Sequence, residues 1–450
     1  MSNKPIFALA TPYAMGAIHV IRVSGFNIFK ILNRICSKPI VKKGFCIERN
    51  RIVNKKEKRI IDDVLLMKYV APKSYTGEDL IEINCHGSIH IVNEIAAILQ
   101  AIGIQPATPG EFTKRAFLNQ KLDLNQSAAV DLLVKTPNRY VRDFAVNTLL
   151  NSEKKEIDKL QNKLFKLIAK FEIAIDYPEY EEAEINFALL RKEILEIQKN
   201  LQNIYNDSNK VLATNKGIKI AIIGKPNVGK STLLNALLKK DRAIVSNVAG
   251  TTRDVIEANI EIGPFSAILL DTAGIHKHRS QLEQKGIKKT LSTIKDSDLV
   301  IFLTHARTRV LDIDESEIIA NLKKWKKDFI HCVNKSDLLK NNQQNDRNLV
   351  FISAKNKQIN PLIDAIIKKL ELSTVKHQEK YIIVDKWQLA LLKQGIEKLD
   401  NFLKILSNES YVDLLIEPLK ETNDILLKIL GKLEDYDLMD EIFKNFCLGK

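Results

Sequence analysis

The stretch Lys219 to Leu234, KIAIIGKPNVGKSTLL, leaves the chain little choice of local fold. It opens as a β-forming run, Ile220 to Ile223, breaks into Gly224-Lys-Pro-Asn-Val-Gly229-Lys230-Ser231, and continues in helix formers from Thr232 to Lys240. A strand, a phosphate loop and a helix are expected. The loop's N–H groups must turn inward around an anion, and glycines at 224 and 229 allow backbone angles that a Cβ forbids. Lys230 is then placed to reach the terminal phosphates and the Ser231 hydroxyl to hold Mg²⁺, with the helix N-terminus adding its positive dipole end. Asn227, Val228, Gly229, Lys230, Ser231 and Thr232 are the phosphate-binding positions this predicts.

Further segments turn the loop into a nucleotide reader. Asp271-Thr272-Ala273-Gly274, at a predicted strand end, supplies a carboxylate for Mg²⁺ through water and a Gly274 N–H for the γ-phosphate. Asn334-Lys335-Ser336-Asp337 selects the base, because an ionised Asp337 accepts from guanine N1–H and the 2-amino group. Adenine has no such donor pair and would leave the carboxylate unpaired. Ser353, Ala354 and Lys355 fall where a loop closes over guanine O6, so GTP is expected rather than ATP. Gly250-Thr251-Thr252-Arg253-Asp254 has the position of a mobile switch that puts a Thr hydroxyl or carbonyl on Mg²⁺. In this order the motifs resemble the translation-factor-like class of small G domains. After Gly274 comes Ile275, which cannot hydrogen-bond to an attacking water. Glu283 is the acidic residue just downstream that could orient it, and is otherwise an ordinary exposed glutamate. Asn227 offers a side-chain oxygen for a monovalent cation where an arginine finger is missing.

At 450 residues, two to three domains are expected, and the 45% hydrophobic content rules out general disorder. From Ile6 to about Leu118, short β runs (Ile18 to Val23, Val64 to Val70) mix with helical stretches such as Ile89 to Ile102, an α+β pattern. Polar clusters at Thr11 to Gly25, Pro72 to Gly87 and Pro109 to Asp123 exceed a scaffold's needs, although each by itself is more often a turn or cap. His86 reads as a structural or surface histidine. Helical periodicity follows from Asn119 to about Ala213, for example Leu160 to Ile173 and Ile185 to Ile204. Strands and helices then alternate to about Leu372, a doubly wound α/β pattern with strands ending at Ile223, Leu270, Leu303, Val333 and Ile352. Helix returns at Tyr381 to Leu406 and Tyr411 to Leu430 before the tail Phe446-Cys447-Leu448-Gly449-Lys450. The expected domains are 1–118, a helical domain in two parts (119–213 and 375–450), and an α/β domain, 214–374, inserted into it. The two helical parts should then share one core.

The formal charge of +14, from 69 Lys and Arg against 55 Asp and Glu, suits a polyanion such as RNA and equally a lysine-rich, AT-biased genome. The charge runs of the helical stretch from Asn119 to about Ala213 are most simply solvated faces. Five cysteines without CxxC or zinc-finger spacing fit reduced thiols. No signal-type N-terminus or membrane-length apolar run is evident, so a soluble, cytoplasmic protein with no membrane partner is expected.

Beyond the G motifs, PKSYTGED at 72 to 79, GEFTKRAFLNQKLDL at 110 to 124, IDYPE at 175 to 179 and the terminal FCLGK make the whole chain resemble the MnmE (TrmE) family of tRNA uridine-5-carboxymethylaminomethyl modification GTPases. The resemblance implies an N-terminal tetrahydrofolate-binding, aminomethyltransferase-like domain that also forms the homodimer, a central helical bundle and an inserted Ras-like G domain. It implies GTP hydrolysis driven by K⁺-dependent G-domain dimerisation and a complex with FAD-containing MnmG that modifies C5 of the wobble uridine of certain tRNAs. Carried onto this chain, 5-formyl-tetrahydrofolate or another tetrahydrofolate derivative falls on Arg22, Glu82, Lys121 and Lys450, and K⁺ on Asn227, Ser246, Val248 and Thr251. Mg²⁺ falls on Ser231 and Thr252, the remaining GTP contacts on Asn247, Ala249 and Gly250, the water-orienting role on Glu283 and the modification chemistry on Cys447. Lys450 is a cation that could lower the Cys447 pKa, although a terminal cysteine can also simply be buried. The competing class is an RNA-binding GTPase switch in ribosome assembly without modification chemistry, which has no need of a CxGK tail or folate-type clusters.

Overall fold

The computed structural model describes residues 4–41, 44–150, 155–176, 186–240, 257–270, 293–306, 313–339, 348–373, 375, 380–406, 412–433, 443, 446 and 449. The chain divides into two compact units, Met1–Val134 with Thr148–Gln202 and Trp387–Lys450, and Lys135–Asn147 with Asn203–Lys386.

In the first unit, period-two alternation builds a sheet that is apolar on one face. Its strands are β1 Ile6–Leu9, β2 Ile18–Ser24, β3 Cys46–Asn54, β4 Arg59–Tyr69, β5 Leu80–His86 and β6 Gln105–Pro106. They are ordered β3-β4-β5-β2-β1-β6. Neighbours are antiparallel except β1 and β6. Ile21 and Val23, Val64 and Leu66, and Ile81 and Ile83 point into a core closed by Val92, Ile95 and Leu99 of the helix Ile89–Ala101. Each such burial contributes roughly 1.5–3 kcal/mol, so the register is strongly specified. It places Arg22 of β2 directly opposite Glu82 of β5.

The same unit holds a helical bundle. The helix Lys155–Asp176 packs on Val412–Ile429, and Phe171 meets Phe402 of the helix Lys386–Leu406 edge-on at 6.4 Å. The buried amides of Gln161 and Asn423 join at 3.0 Å. Helices that precede and follow the α/β segment in the chain therefore share one apolar core.

The second unit is a sheet in the order β12-β11-β10-β7-β9-β8. Its strands are β7 Ile218–Ile223, β8 Glu257–Ile262, β9 Phe265–Leu270, β10 Leu299–His305, β11 Asp328–Asn334 and β12 Val350–Phe351. All pairings are parallel except the β8–β9 hairpin, which turns at Gly263 with φ +59°. The central strands are apolar on both faces, as a parallel sheet between helices requires. Two segments outside 214–374 join this unit. Tyr140 accepts a bond from Val375 N and donates its backbone N–H to Pro264, with its ring 5.1 Å from those of Phe144 and Phe265. Ser208 accepts from Ile383 N.

Candidate functional site

The carboxyl ends of β7, β10 and β11 bring the first group of predicted residues together. Apolar β7 stops at Ile223, and Gly224 follows with φ +150°; a Cβ there would sit 2.2 Å from the Leu303 carbonyl oxygen of β10. Gly229, φ +102°, has a second constraint: its Cβ would lie 2.3 Å from Asn334 Nδ2. Both glycines of the loop are thus forced by close approach of a neighbouring strand end as well as by their backbone angles. The helix runs Lys230–Lys240, so it starts two residues earlier than Thr232, because Leu233 N already bonds Gly229 O at 2.9 Å. Lys230, Ser231 and Thr232 therefore form its first turn, where backbone N–H groups lack intrahelical partners. Lys230 Nζ donates to the loop carbonyls of Gly224 (2.6 Å) and Lys225 (2.8 Å), which sets its ammonium against the loop.

Asn334 joins three segments. Its side chain is 2% exposed; Nδ2 donates to Val228 O at 2.8 Å and Oδ1 accepts from Ala354 N at 3.0 Å. Lys335, held left-handed at φ +63°, donates from Nζ to Asn227 O at 3.1 Å, and Asn227 itself has φ +65°. Ser353 Oγ donates to Asp337 Oδ1 at 2.6 Å, while Ser336 N bonds Ile352 O. Asp337, Lys355 and the Asn227 side chain are exposed, as groups meant for a ligand must be. The arrangement fits a guanine nucleotide: anion-directed N–H groups and a lysine at one end, and an oriented carboxylate at the other. Ser246, Asn247, Val248, Ala249, Gly250, Thr251, Thr252, Asp271, Thr272, Ala273, Gly274 and Glu283 lie outside the described residues.

A second group is assembled in the first unit. Arg22 donates from Nε (3.0 Å) and Nη2 (2.8 Å) to one oxygen of Glu82, with the two side chains 20% and 16% exposed. Its guanidinium lies 5.4 Å from the Tyr75 ring and 5.7 Å from the Phe112 ring. Tyr75 hydroxyl and Thr113 hydroxyl share a 2.8 Å bond, and burial pushes the Tyr75 phenol above its ordinary pKa. Tyr69 is raised first by burial and then by the Glu82 charge. Lys121 is exposed, and Gly77, φ +78°, is packed so that a Cβ would come 3.2 Å from Lys121 Cγ.

The chain's terminus reaches this group. Arg22 Nη1 donates to Gly449 O at 3.1 Å. Gly449 has φ +90° and a Cβ there would stand 2.6 Å from Leu9 O, so no side chain fits. Phe443 and Phe446 pack with Phe117. Cys447 and Lys450 lie outside the described residues. Tyr69, Tyr75, Phe112 and the Gly449 carbonyl are contacts that motif spacing does not disclose; the YTGED and GEFTKR wording marks their segments and not their roles. Among the described residues no cluster has metal-ligand composition, and no helix is long and apolar enough to cross a membrane.

Comparison with known proteins finds similarity along the whole chain. The family described as the GTP-binding protein TrmE N-terminus matches residues 5–121, and the MnmE helical domain matches residues 124–447. The tRNA modification GTPase MnmE of Mycoplasma genitalium is 44% identical over 100% of both chains. The protein of that name from Malacoplasma penetrans is 40% identical, again over 100% of both. Among solved structures, Era of Aquifex aeolicus bound to GDP.AlF4- is 27% identical, covering 40% of this chain and 66% of that one with a TM-score of 0.27.

Proposed function

The chain belongs to the tRNA modification GTPase MnmE family, and on that premise we propose that it couples K⁺-dependent GTP hydrolysis to wobble-uridine chemistry. Acting with FAD-containing MnmG, it adds an aminomethyl or carboxymethylaminomethyl group at C5 of that uridine in certain tRNAs. A folate one-carbon unit supplies the carbon. The observation that carries the GTP half is the Asn334 tie, which holds phosphate loop, base reader and Ala354 loop in one geometry.

In this reading the loop N–H groups and Lys230 bind the phosphates, and Asp337, oriented by Ser353, reads guanine. Ser231 and Thr252 hold Mg²⁺, and Asn227, Ser246, Val248 and Thr251 hold K⁺. Cations held there would supply positive charge against the charge that builds on the phosphates, and the exposed Asn227 side chain leaves its oxygen available for such a role. Glu283 orients the attacking water, since Ile275 cannot. The domains follow as a folate-binding and dimerising domain at 1–118, a bundle from 119–213 and 375–450, and an inserted G domain at 214–374, working as a cytoplasmic homodimer.

Arg22, Glu82, Lys121 and Lys450 take the folate. A carboxylate held by one oxygen against Arg22 suits the amino and ring N–H donors of a pterin, and the Tyr75 and Phe112 rings beside the guanidinium help to hold it in place. The Arg22–Gly449 bond brings the tail to the same side chains, which supports a role for Cys447 beside the one-carbon unit. GTP hydrolysis measured in KCl and in NaCl tests the cation assignment: turnover well above the sodium rate is expected, and equal rates would remove it. Glu283→Ala should bind GTP normally and lose turnover.

A further inference from the structure

We propose that the outer face of the helix Lys155–Asp176 is a docking surface for the phosphate backbone of tRNA; this rests on the tRNA-modifying function above. The inner face of that helix is committed to the bundle core through Ile157, Leu164 and Phe171. Its outer face carries Lys159, Lys163, Lys166 and Lys170, all exposed. At 100° per residue these four lie within an arc of about 60°, and at 1.5 Å per residue they extend over roughly 16 Å. Successive ammonium groups are therefore a phosphate spacing apart, along one line.

The surrounding charges do not cancel this stripe. The run Lys159 to Lys170, KLQNKLFKLIAK, contains no acidic residue. Of the acids near its two ends, Asp158 pairs with Lys432 at 2.8 Å and Glu172 with Lys420 at 2.9 Å, and the exposed Glu156 stands one turn before Lys159 as the acid nearest the stripe. Within the stripe, Lys163 pairs with Glu196 of the neighbouring helix at 3.0 Å, with both side chains more than half exposed. Among the described residues, none pairs with Lys159, Lys166 or Lys170. On the adjacent helix Phe187–Thr214, the exposed Lys192 and Lys199 stand on the same side as Glu196, one turn before and after it. Like charges spaced i,i+4 destabilise a helix, so helix stability does not account for the row.

Lysines are compact charges on flexible stems, suited to phosphates and without the fork geometry that reads base edges. The surface should therefore add affinity and orientation without sequence preference. A full-length variant carrying Lys159→Gln, Lys163→Gln, Lys166→Gln and Lys170→Gln tests this by titration with a tRNA transcript over a series of KCl concentrations. The slope of log affinity against log salt should flatten by about 2 to 4, at roughly 0.7–0.9 for each phosphate no longer neutralised. Binding near 0.1 M salt should weaken at least about ten-fold on the same basis. GTP hydrolysis should be unchanged, and the corresponding four Lys→Arg changes should restore binding. Should the four-fold variant fail to fold, Lys159→Gln with Lys170→Gln should flatten the slope by about half as much. A parental affinity and slope in the Gln variant would overturn the surface alone. A parent chain that hydrolyses GTP and binds no tRNA at any salt would overturn the surface too, whereas the tRNA reading beneath it falls only if wobble uridines stay fully modified in cells that lack the chain.

Discussion

Truncating Asn334 probes the nucleotide site where its parts are joined. Asn334→Ala removes one donor, to Val228 O, and one acceptor, for Ala354 N, and both partners belong to residues at most 4% exposed. Each buried group left unpaired costs about 1–3 kcal/mol, so a loss near 3 kcal/mol is expected. For a unit of this size that lowers the melting temperature by about 6–12 °C. GTP affinity should fall as well, because the phosphate loop and the guanine reader lose their common anchor. Calorimetry of the full chain and titration with a non-hydrolysable GTP analogue measure the two effects. Asn334→Asp is a sharper variant: it keeps an acceptor for Ala354, loses the donor to Val228, and buries a carboxylate. A melting shift under about 2 °C with unchanged affinity in both variants would refute the reasoning that Asn334 couples loop and reader.

Other outcomes follow from the first unit and from the buried thiols. Arg22→Ala leaves Glu82 and the Gly449 carbonyl without their shared donor, so tetrahydrofolate binding should drop at least about ten-fold by loss of charged hydrogen bonds, and the tail should be cut faster by carboxypeptidase. Unchanged rates would separate the tail from the site. Burial pushes the Cys85 thiol up to about 11 and the Cys36 thiol up to about 12, and raises Cys332 as well. The folded chain therefore holds these protons longer than the unfolded chain. Their contribution to stability is complete below about pH 9 and is lost as pH rises toward 11 to 12. Urea unfolding at pH 8 and pH 10.5 should show that decline, and Cys85→Ala should reduce its slope; a flat profile would count against it.

The nucleotide half of the site is legible from the chain because its groups sit next to strand ends that apolar runs announce. Ile223 and Leu270 end their strands as the pattern predicts, and β10 and β11 run one or two residues beyond Leu303 and Val333. Pairing direction is harder to see. Nothing in Glu257–Ile262 distinguishes it from a parallel strand, and only the tight turn at Gly263 makes β8 antiparallel to β9. Helical periodicity tells which face is apolar and not what covers it. For that reason Tyr140, on a stretch that reads as bundle, packs instead against Phe265 of the second unit. The surroundings of Arg22 are hidden for a different reason. Tyr75, Phe112 and Gly449 come from a loop, a helix and the chain end, and only the β2–β5 register and the tight fit of Gly449 against Leu9 bring them together.

The central claim is that GTP turnover in this chain serves base chemistry performed near its C-terminal tail. Wobble-uridine modification, measured by mass spectrometry of tRNA from cells that express Cys447→Ser as the sole copy, tests it most directly when paired with the GTP hydrolysis rate of the purified variant. Hydrolysis at the parental rate with modification abolished is the predicted result. Full modification in the Cys447→Ser strain would contradict the account and remove the catalytic role of Cys447.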